Sequence, residues 1–243
     1  MRPTLTASFS EEAPPLARRQ LLIAGFVPIV LLALGADSQL LLEHGIDGQG
    51  FSNLAGPLYL LFILRGLRRQ QQLMALIFVP FSALGEYLFS LVFQRYHYKF
   101  GMVPFYVPFG HAILFSTGLL IADLPVVRTY DRQVQLGLLA IHGLLFVGVL
   151  LLFNDTLSTV FGIVFAWILW RKRANLLYLI MGMLVLYIEL VGTALGCWAW
   201  VPSPWGLLHT TNPPFGAFVC YVIADILVMK IARWVAPVVI KRI

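Results

Sequence analysis

Long apolar segments, separated by short clusters of charged residues, recur along the whole chain. A run of roughly 20 apolar residues is long enough to cross the hydrocarbon core of a bilayer as an α-helix. The pattern predicts eight such helices, approximately at residues 20–36, 51–67, 73–94, 104–126, 134–153, 156–170, 175–197 and 213–233. We therefore expect an all-α, polytopic integral membrane protein with about eight transmembrane helices.

The composition strengthens this expectation. Hydrophobic residues make up 60% of the chain and charged residues only 12%, whereas soluble domains carry roughly 25% charged residues. The net charge of +6 does not indicate a nucleic-acid-binding protein, because the basic residues lie in short clusters between apolar runs, as signals of membrane topology do. The expected partners are membrane lipids and a lipophilic small molecule, and the sequence does not predict an oligomeric state.

Charged residues of opposite sign alternate between the two ends of the predicted helices. Basic clusters mark one side of the membrane: Arg18/Arg19, Arg65/Arg68/Arg69, Arg128/Arg132, Arg171/Lys172/Arg173 and Lys230/Arg233/Lys241/Arg242. Acidic residues mark the other side: Asp37, Glu43, Asp47 and Asp155. Because basic residues favour the cytoplasm, we expect both termini there, with residues 1–19 as a cytoplasmic tail and a bacterial inner membrane as the location. Arg95 and Lys99 are exceptions, and a ligand headgroup or one of the acids is the partner expected for them.

Two acids, Glu86 and Glu189, lie inside apolar segments and have matching surroundings. A basic cluster precedes each acid, and an aromatic pair follows it, Tyr96-His97-Tyr98 and Trp198-Ala199-Trp200; next come Pro108-Phe109-Gly110 and Pro214-Phe215-Gly216. The repetition predicts an internal duplication, with residues 20–127 and 128–243 each forming four helices. Because four is an even number, the two halves should have the same orientation and share a site at their interface.

The acids are the main candidates for chemistry. A carboxylate inside a bilayer is costly, so an intramembrane acid is a hypothesis for a functional site. We expect Asp225, in the last helix, to pair with Glu189, and two adjacent carboxyl groups in a low dielectric do not both ionise, so one retains its proton. His111 follows the first Pro-Phe-Gly, where the second repeat has Ala217, and it can relay protons with Glu86. The predicted catalytic residues are Glu86, Glu189, Asp225 and His111.

The aromatic pairs favour a lipophilic substrate that becomes positively charged. The faces of aromatic rings attract cations, and a proton donor next to such rings suits the protonation of an isoprenoid double bond. The predicted substrate contacts are Tyr96, His97, Tyr98, Trp198, Trp200 and Asn212. The same aromatics also fit the role of anchors at the membrane interface, and the sequence leaves both interpretations open.

Motifs for metals and cofactors are missing from the sequence. The five histidines are scattered and form no clustered box of the kind that membrane di-iron enzymes need. The chain has no P-loop, Gly-rich dinucleotide loop or nucleophile elbow, and its two cysteines, Cys197 and Cys220, are in no CxxC arrangement. We therefore expect no metal and no cofactor.

The two acid-containing segments resemble a known family. The stretch from Glu86 to Gly110, with FQRYHYKFGMVPFYVPFG, resembles the signature of integral-membrane carotenoid hydratases of the bisanhydrobacterioruberin type. The segment ELVGTALGCWAW that begins at Glu189 is similar to the E-x-x-G-T-x-x-G-x-aromatic pattern of that family and, more loosely, of membrane carotenoid and terpene cyclases. The resemblance implies hydration or cyclisation of a long polyene without a redox cofactor. The chain departs from the family at Gln94-Arg95, where the hydratases have a Gly-containing step, and at His97, between the two tyrosines.

Two other functions remain open. The first is a small proton-coupled transporter with a site at the middle of the membrane between the repeats, and the second is a lipid-binding or assembly factor without catalysis. Transporter helices often unwind at such a site, whereas the helices around Glu86 and Glu189 are predicted to be uninterrupted, with Pro80 as the one nearby candidate for a break. This difference favours the enzyme.

Overall fold

The computed structural model describes residues 14–172 and 175–240. Glu11 and Glu12 of the expected tail, and Arg173, Lys241 and Arg242 of the basic clusters, lie outside these residues. The α-helices are α1 (Leu16–Ala36), α2 (Gln39–Glu43), α3 (Gln49–Leu64), α4 (Arg69–Glu86), α5 (Val107–Ala122), α6 (Pro125–Thr129), α7 (Asp131–Phe153), α8 (Thr156–Arg171), α9 (Leu176–Ala194) and α10 (Phe218–Ile240). The all-α prediction is confirmed, although α1 begins within the segment that was expected to be a tail.

The helices identify a membrane protein. In the described ranges, five helical segments are long and apolar enough to cross a bilayer: Leu16–Glu43, Arg69–Val92, Asp131–Phe153, Leu176–Ala194 and Phe215–Ala236. The other predicted spans correspond to α3, α5 and α8, which are apolar but have 16 residues each. At 1.5 Å per residue each of these is about 24 Å long, which is shorter than the hydrocarbon core of about 30 Å.

The helix that carries Glu86 changes its winding at that residue. α4 ends at Glu86, and the chain continues as a π-helix over Tyr87–Val92. The prediction of an uninterrupted helix around this acid was therefore wrong, and neither Gly nor Pro within Tyr87–Val92 signals the change. Short π-helical segments within α-helices are rare and often occur at functional sites.

A two-stranded sheet joins the segments that follow the two acids. β1 (Tyr96–Tyr98) pairs in antiparallel fashion with β2 (Trp198–Trp200), and Tyr96 lies opposite Trp200, His97 opposite Ala199 and Tyr98 opposite Trp198. Side chains alternate between the faces of a strand, so the tyrosines share one face while His97 points to the other. The sheet brings the two predicted aromatic pairs together.

Capping interactions set the start of α8 and hold the loop after β2. The Asp155 carboxylate accepts the backbone N–H of Ser158 at 2.8 Å and thereby caps the helix. The hydroxyl groups of Thr210 and Thr211 donate to the same carboxylate. Asn212 follows directly in this loop, and its Oδ1 accepts the backbone N–H of Trp200 at 3.0 Å. The loop therefore fixes one end of β2.

α5 packs against α4 and α9, and α10 packs against the same two helices. Phe78, Phe115, Met181 and Val222, one from each of these helices, are fully buried. The closely packed apolar side chains fix the relative positions of the four helices, on which the two acids and His111 are carried.

Candidate active site

A cavity of about 430 Å³ lies inside the bundle, within the usual range for small-molecule sites. Its wall is mostly aliphatic and aromatic, and residues of α1, α3, α4, α5, α9, α10 and both strands contribute to it. The lining residues with polar or aromatic groups that enter the argument below are Glu86, Arg95, Tyr96, Tyr98, His111, Glu189, Trp198, Trp200, Trp205 and Tyr221. Such a wall suits a lipophilic ligand with few polar atoms.

One side of the cavity reaches the apolar outer surface. Leu84 of α4 and Leu88 of the π-helix line it, as do Ile223 and Leu227 of α10, and all four side chains are exposed. They form a rim between α4 and α10 on a surface rich in exposed hydrophobic residues. In a membrane this rim would face the hydrocarbon of the bilayer.

Glu86 is held by two tyrosines and a histidine. The hydroxyl groups of Tyr96 and Tyr98 both donate to Oε2 of Glu86, each at 2.6 Å. Nε2 of His111 lies 2.7 Å from Oε1, which makes an ion pair when the imidazole is protonated. All these partners are brought in by β1 and the first turns of α5, so the sheet and one helix together position the acid.

Glu189 is held by a different set of donors. The indole N–H groups of Trp198 and Trp200 donate to its Oε2 at 2.9 and 3.0 Å, and the Tyr221 hydroxyl group donates to Oε1 at 2.9 Å. Trp198 approaches so closely because residue 192 is glycine: a Cβ atom there would lie 1.9 Å from the indole Cη2. The sequence of α9 therefore makes room for the ring that contacts its own acid.

Aromatic contacts connect the two acids. The rings of His111 and Tyr221 stack with their centroids 4.7 Å apart and an interplanar angle of 8°. The rings of Tyr96 and Trp200 lie 4.7 Å apart at their centroids, across the sheet. Each acid therefore has a partner that contacts a partner of the other acid, and the two carboxyl groups belong to one cluster.

The tyrosines of β1 remain protonated donors. Burial, followed by the negative charge of Glu86, raises the pKa of Tyr96 and Tyr98 well above the ordinary tyrosine value. A tyrosine hydroxyl group can also accept a hydrogen bond, whereas an indole N–H can only donate. Oε2 of Glu189 is therefore fixed as an acceptor, and a proton on this carboxyl group belongs on Oε1, next to Tyr221.

Most of the predicted site residues come together, and three do not. Glu86, His111, Tyr96 and Tyr98 meet on one side of the cluster, and Glu189, Trp198 and Trp200 meet on the other. His97 is exposed on the opposite face of β1. Asn212 is not part of the cavity wall and instead holds the backbone of Trp200.

The predicted pairing of Asp225 with Glu189 is wrong. Asp225 is completely buried, but within the described part of the chain its two carboxyl oxygens have no hydrogen-bond partner. Tyr221 lies one helical turn before Asp225 on the same face of α10 and occupies the place next to Glu189. Asp225 therefore has no contact with the cluster that would support a catalytic role.

Several contacts of the site were not predicted from the sequence. Tyr221 had no role assigned, although it bonds to one acid and stacks on the partner of the other. Lys99 forms a buried ion pair with Asp37 at 2.8 Å, and the Tyr106 hydroxyl group donates to the same carboxylate at 2.8 Å. The sequence had suggested a ligand headgroup or an acid as the partner of Lys99, and the structure shows an acid, Asp37.

No group of three or more His, Cys, Asp or Glu side chains in the described residues is placed to hold a metal ion. In comparisons with known proteins, no family model, no curated protein and no solved structure matches this chain. The resemblance to the carotenoid hydratases therefore depends on the quoted motifs alone.

Proposed function

We propose that the protein is an intramembrane enzyme that acts, without a cofactor, on a lipophilic isoprenoid or carotenoid-like substrate. In this proposal Glu189 protonates a carbon–carbon double bond, which leads to hydration or cyclisation. The observation that carries the proposal is the pair of buried carboxyl groups, bonded to aromatic donors, in the wall of an apolar cavity with a rim on the outer surface. This arrangement would supply a proton donor and aromatic faces to a substrate that comes from the bilayer.

The partners of the two acids decide which one donates. Glu86 contacts His111, which can carry a positive charge, whereas Glu189 accepts hydrogen bonds from the neutral donors Trp198, Trp200 and Tyr221. With the Glu86–His111 pair charged and Glu189 protonated, the cluster is neutral overall. Net charge is costly in an apolar cavity, and Glu189, which has no cationic partner among its hydrogen-bond donors, avoids that cost by keeping its proton. We therefore assign the acid role to Glu189.

The proposed reaction balances without an oxidant or reductant. The proton leaves Oε1 of Glu189, and the π electrons of the double bond form the new C–H bond, which leaves a carbocation on the neighbouring carbon. The aromatic faces of the cavity stabilise this cation. In hydration, water adds to the cation and returns a proton to the Glu189 carboxylate. In cyclisation, a second double bond attacks the cation, and a neighbouring C–H bond then breaks, leaving its electrons as a new double bond and returning its proton to the Glu189 carboxylate. The product is the substrate plus one water, or an isomer.

We also propose that eight helices span the membrane as two parallel repeats, with both termini in the cytoplasm of a bacterial cell. Support comes from the helix at each predicted span and from the antiparallel pairing of β1 with β2, centred on the His97–Ala199 pair. An antiparallel pair has a local two-fold axis, as the interface between two parallel repeats requires. The three short helices would cross with locally thinned lipid or with polar residues at their ends.

A proton-coupled transporter is the second candidate. The observation that favours it is the π-helix that begins directly after Glu86, because irregular backbone inside a membrane is typical of ion-coupled sites. In this alternative, proton exchange at Glu86 and Glu189 would drive movement of a substrate that is not chemically altered.

Replacing the acid tests the enzyme proposal. Glu189→Gln keeps the shape of the side chain and removes its acidic proton, so turnover should fall by about 10²-fold, the usual contribution of a general acid. The assay is mass analysis of products in cells supplied with a linear carotenoid or terpenoid precursor, with Glu43→Gln, an exposed acid of α2, as the matched control.

Product formed at the wild-type rate by Glu189→Gln would refute the proposed acid role of Glu189, and the same result for Glu86→Gln would exclude both carboxyl groups as the acid. Loss of proton-coupled uptake into vesicles in the same variants, with the supplied compound unaltered, would instead establish the transporter.

A further inference from the structure

The backbone of Arg95 is fixed at the end of the cavity wall. It follows Gln94, whose φ of 51° lies in the left-handed region. The Arg95 N–H donates to the carbonyl of Phe89 at 2.8 Å, and its own carbonyl accepts the N–H of Val201 at 3.0 Å. These bonds tie Arg95 to the π-helix on one side and to the end of β2 on the other. Its side chain is therefore presented from a defined position, one residue before Tyr96.

The guanidinium group of Arg95 has unused hydrogen-bonding capacity at the cavity. Nε donates to the carbonyl of Phe93, but Nη1 is shielded from solvent and has no partner within the described residues. Arg95 is also the one lysine or arginine among the described residues that line the cavity. A guanidinium nitrogen buried without an acceptor is costly, which indicates that a ligand completes the arrangement.

Trp205 covers the guanidinium group. Its ring centroid lies 4.6 Å from Cζ of Arg95, within the range of a cation–π contact, and Trp205 also lines the cavity. The residue is held at φ 59°, a conformation that is uncommon for bulky residues, and 65% of its surface is exposed. Local strain of this kind clusters at ligand-binding sites, so Trp205 has the features of a clamp over Arg95.

We infer that Arg95 binds an acidic oxyanion, a phosphate or carboxylate, at the polar end of an amphiphilic ligand whose apolar chain occupies the cavity. The inference rests on the proposed function and names its substrate class: an isoprenoid with an acidic end group, rather than a pure hydrocarbon. Arginine suits this role because its planar set of N–H donors matches the oxygens of both groups. Since Arg95 precedes Tyr96, the end group is fixed next to the wall that carries Glu86.

Binding of two probes with the same chain tests this inference. Farnesyl phosphate and farnesol differ in the acidic group alone, and their binding can be followed by the tryptophan fluorescence of the protein in phosphatidylcholine nanodiscs. We expect wild type to prefer farnesyl phosphate by about 10-fold or more, since a hydrogen bond to a charged group contributes that much. Arg95→Gln should abolish the preference, and Arg95→Lys should retain part of it. Arg65→Gln is the control, because Arg65 also lies over a ring, that of Phe62, but does not line the cavity.

Equal affinity of wild type for the two probes would overturn the inference, and so would an unchanged preference in folded Arg95→Gln. Adding phosphatidylglycerol to the nanodiscs distinguishes the sources of the acidic group. Weaker binding of both probes to wild type, with their binding to Arg95→Gln unaffected, would identify an anionic lipid phosphate as the occupant of the same site. Because these measurements involve no turnover, their outcome is independent of the Glu189→Gln experiment: unchanged turnover in that variant would remove the proposed chemistry and leave the binding site.

Discussion

Gly192→Ala should separate an acid from its indole partner and destabilise the protein. The added Cβ would lie 1.9, 2.2 and 2.4 Å from Cη2, Cζ2 and Cζ3 of Trp198, whereas carbon atoms in contact are about 3.5 Å apart or more. The ring must therefore withdraw by roughly 1.5 Å. A displacement of that size breaks the 2.9 Å bond from Nε1 to Oε2 of Glu189.

The expected cost combines two effects. Overpacking costs about 1–3 kcal/mol, and the loss of a hydrogen bond to a carboxyl group costs about 1.5–3 kcal/mol if that group ionises and less if it is neutral. A total near 3 kcal/mol is measurable by unfolding in mixed detergent micelles, followed by circular dichroism. Gly143→Ala is the matched control: it lies in α7 with no atom near its added Cβ, so it should stabilise the helix by up to about 1 kcal/mol.

A double-mutant cycle assigns the cost to the correct ring. In the Trp198→Ala background the space next to Gly192 is empty, so Gly192→Ala should cost less than about 1 kcal/mol there. The same cost in both backgrounds would refute the close packing of Trp198 against α9, and with it the described position of the ring at Glu189.

Two further predictions concern accessibility. Burial, followed by the charge of Asp37, raises the pKa of the Cys197 thiol to about 12. Because so high a pKa leaves almost no thiolate at pH 8, iodoacetamide at that pH should label Cys197 only after unfolding, which peptide mass analysis would report. Fast labelling of the folded protein would contradict the burial of Cys197. Single cysteines introduced at Gln70 and Lys172, both exposed, should react with a membrane-impermeant maleimide from the same, cytoplasmic side, and labelling from opposite sides would exclude the parallel repeats.

Hydropathy was sufficient to locate the helices because apolar runs of this length have few alternatives. It does not define how a helix is rotated about its axis, and this is why Asp225 was assigned wrongly. Asp225 and Tyr221 are one turn apart on the same face, and only the packing of α10 against α9 determines which of them reaches Glu189. The sequence indicates how deep a residue lies along its helix. Which residues it contacts depends more on how the helix is rotated about its axis.

The sheet illustrates a signal that was present but not interpreted. Tyr96-His97-Tyr98 and Trp198-Ala199-Trp200 each place two aromatics at a spacing of two residues, which is the period of a strand. Strands of three residues are stable only when paired, and the partner lies in the other half of the chain. The long separation, and not the local pattern, made the pairing unpredictable. The exposure of His97 follows from the same alternation.

The chemistry of the donors makes the two acids inequivalent even though their sequence surroundings match. Tyr96 and Tyr98 donate to Glu86 through hydroxyl groups that can also accept a hydrogen bond, so these partners can reorient if Glu86 takes up a proton. Trp198 and Trp200 cannot do so, and they fix one oxygen of Glu189 as an acceptor. A proton on Glu189 would then be restricted to the other oxygen, next to Tyr221, whose ring stacks on His111. Under the proposed function, two acids in matching sequence segments, one next to a tyrosine pair and the other next to a tryptophan pair, would thus differ in role: Glu86 would exchange protons, and Glu189 would deliver a proton in a fixed direction.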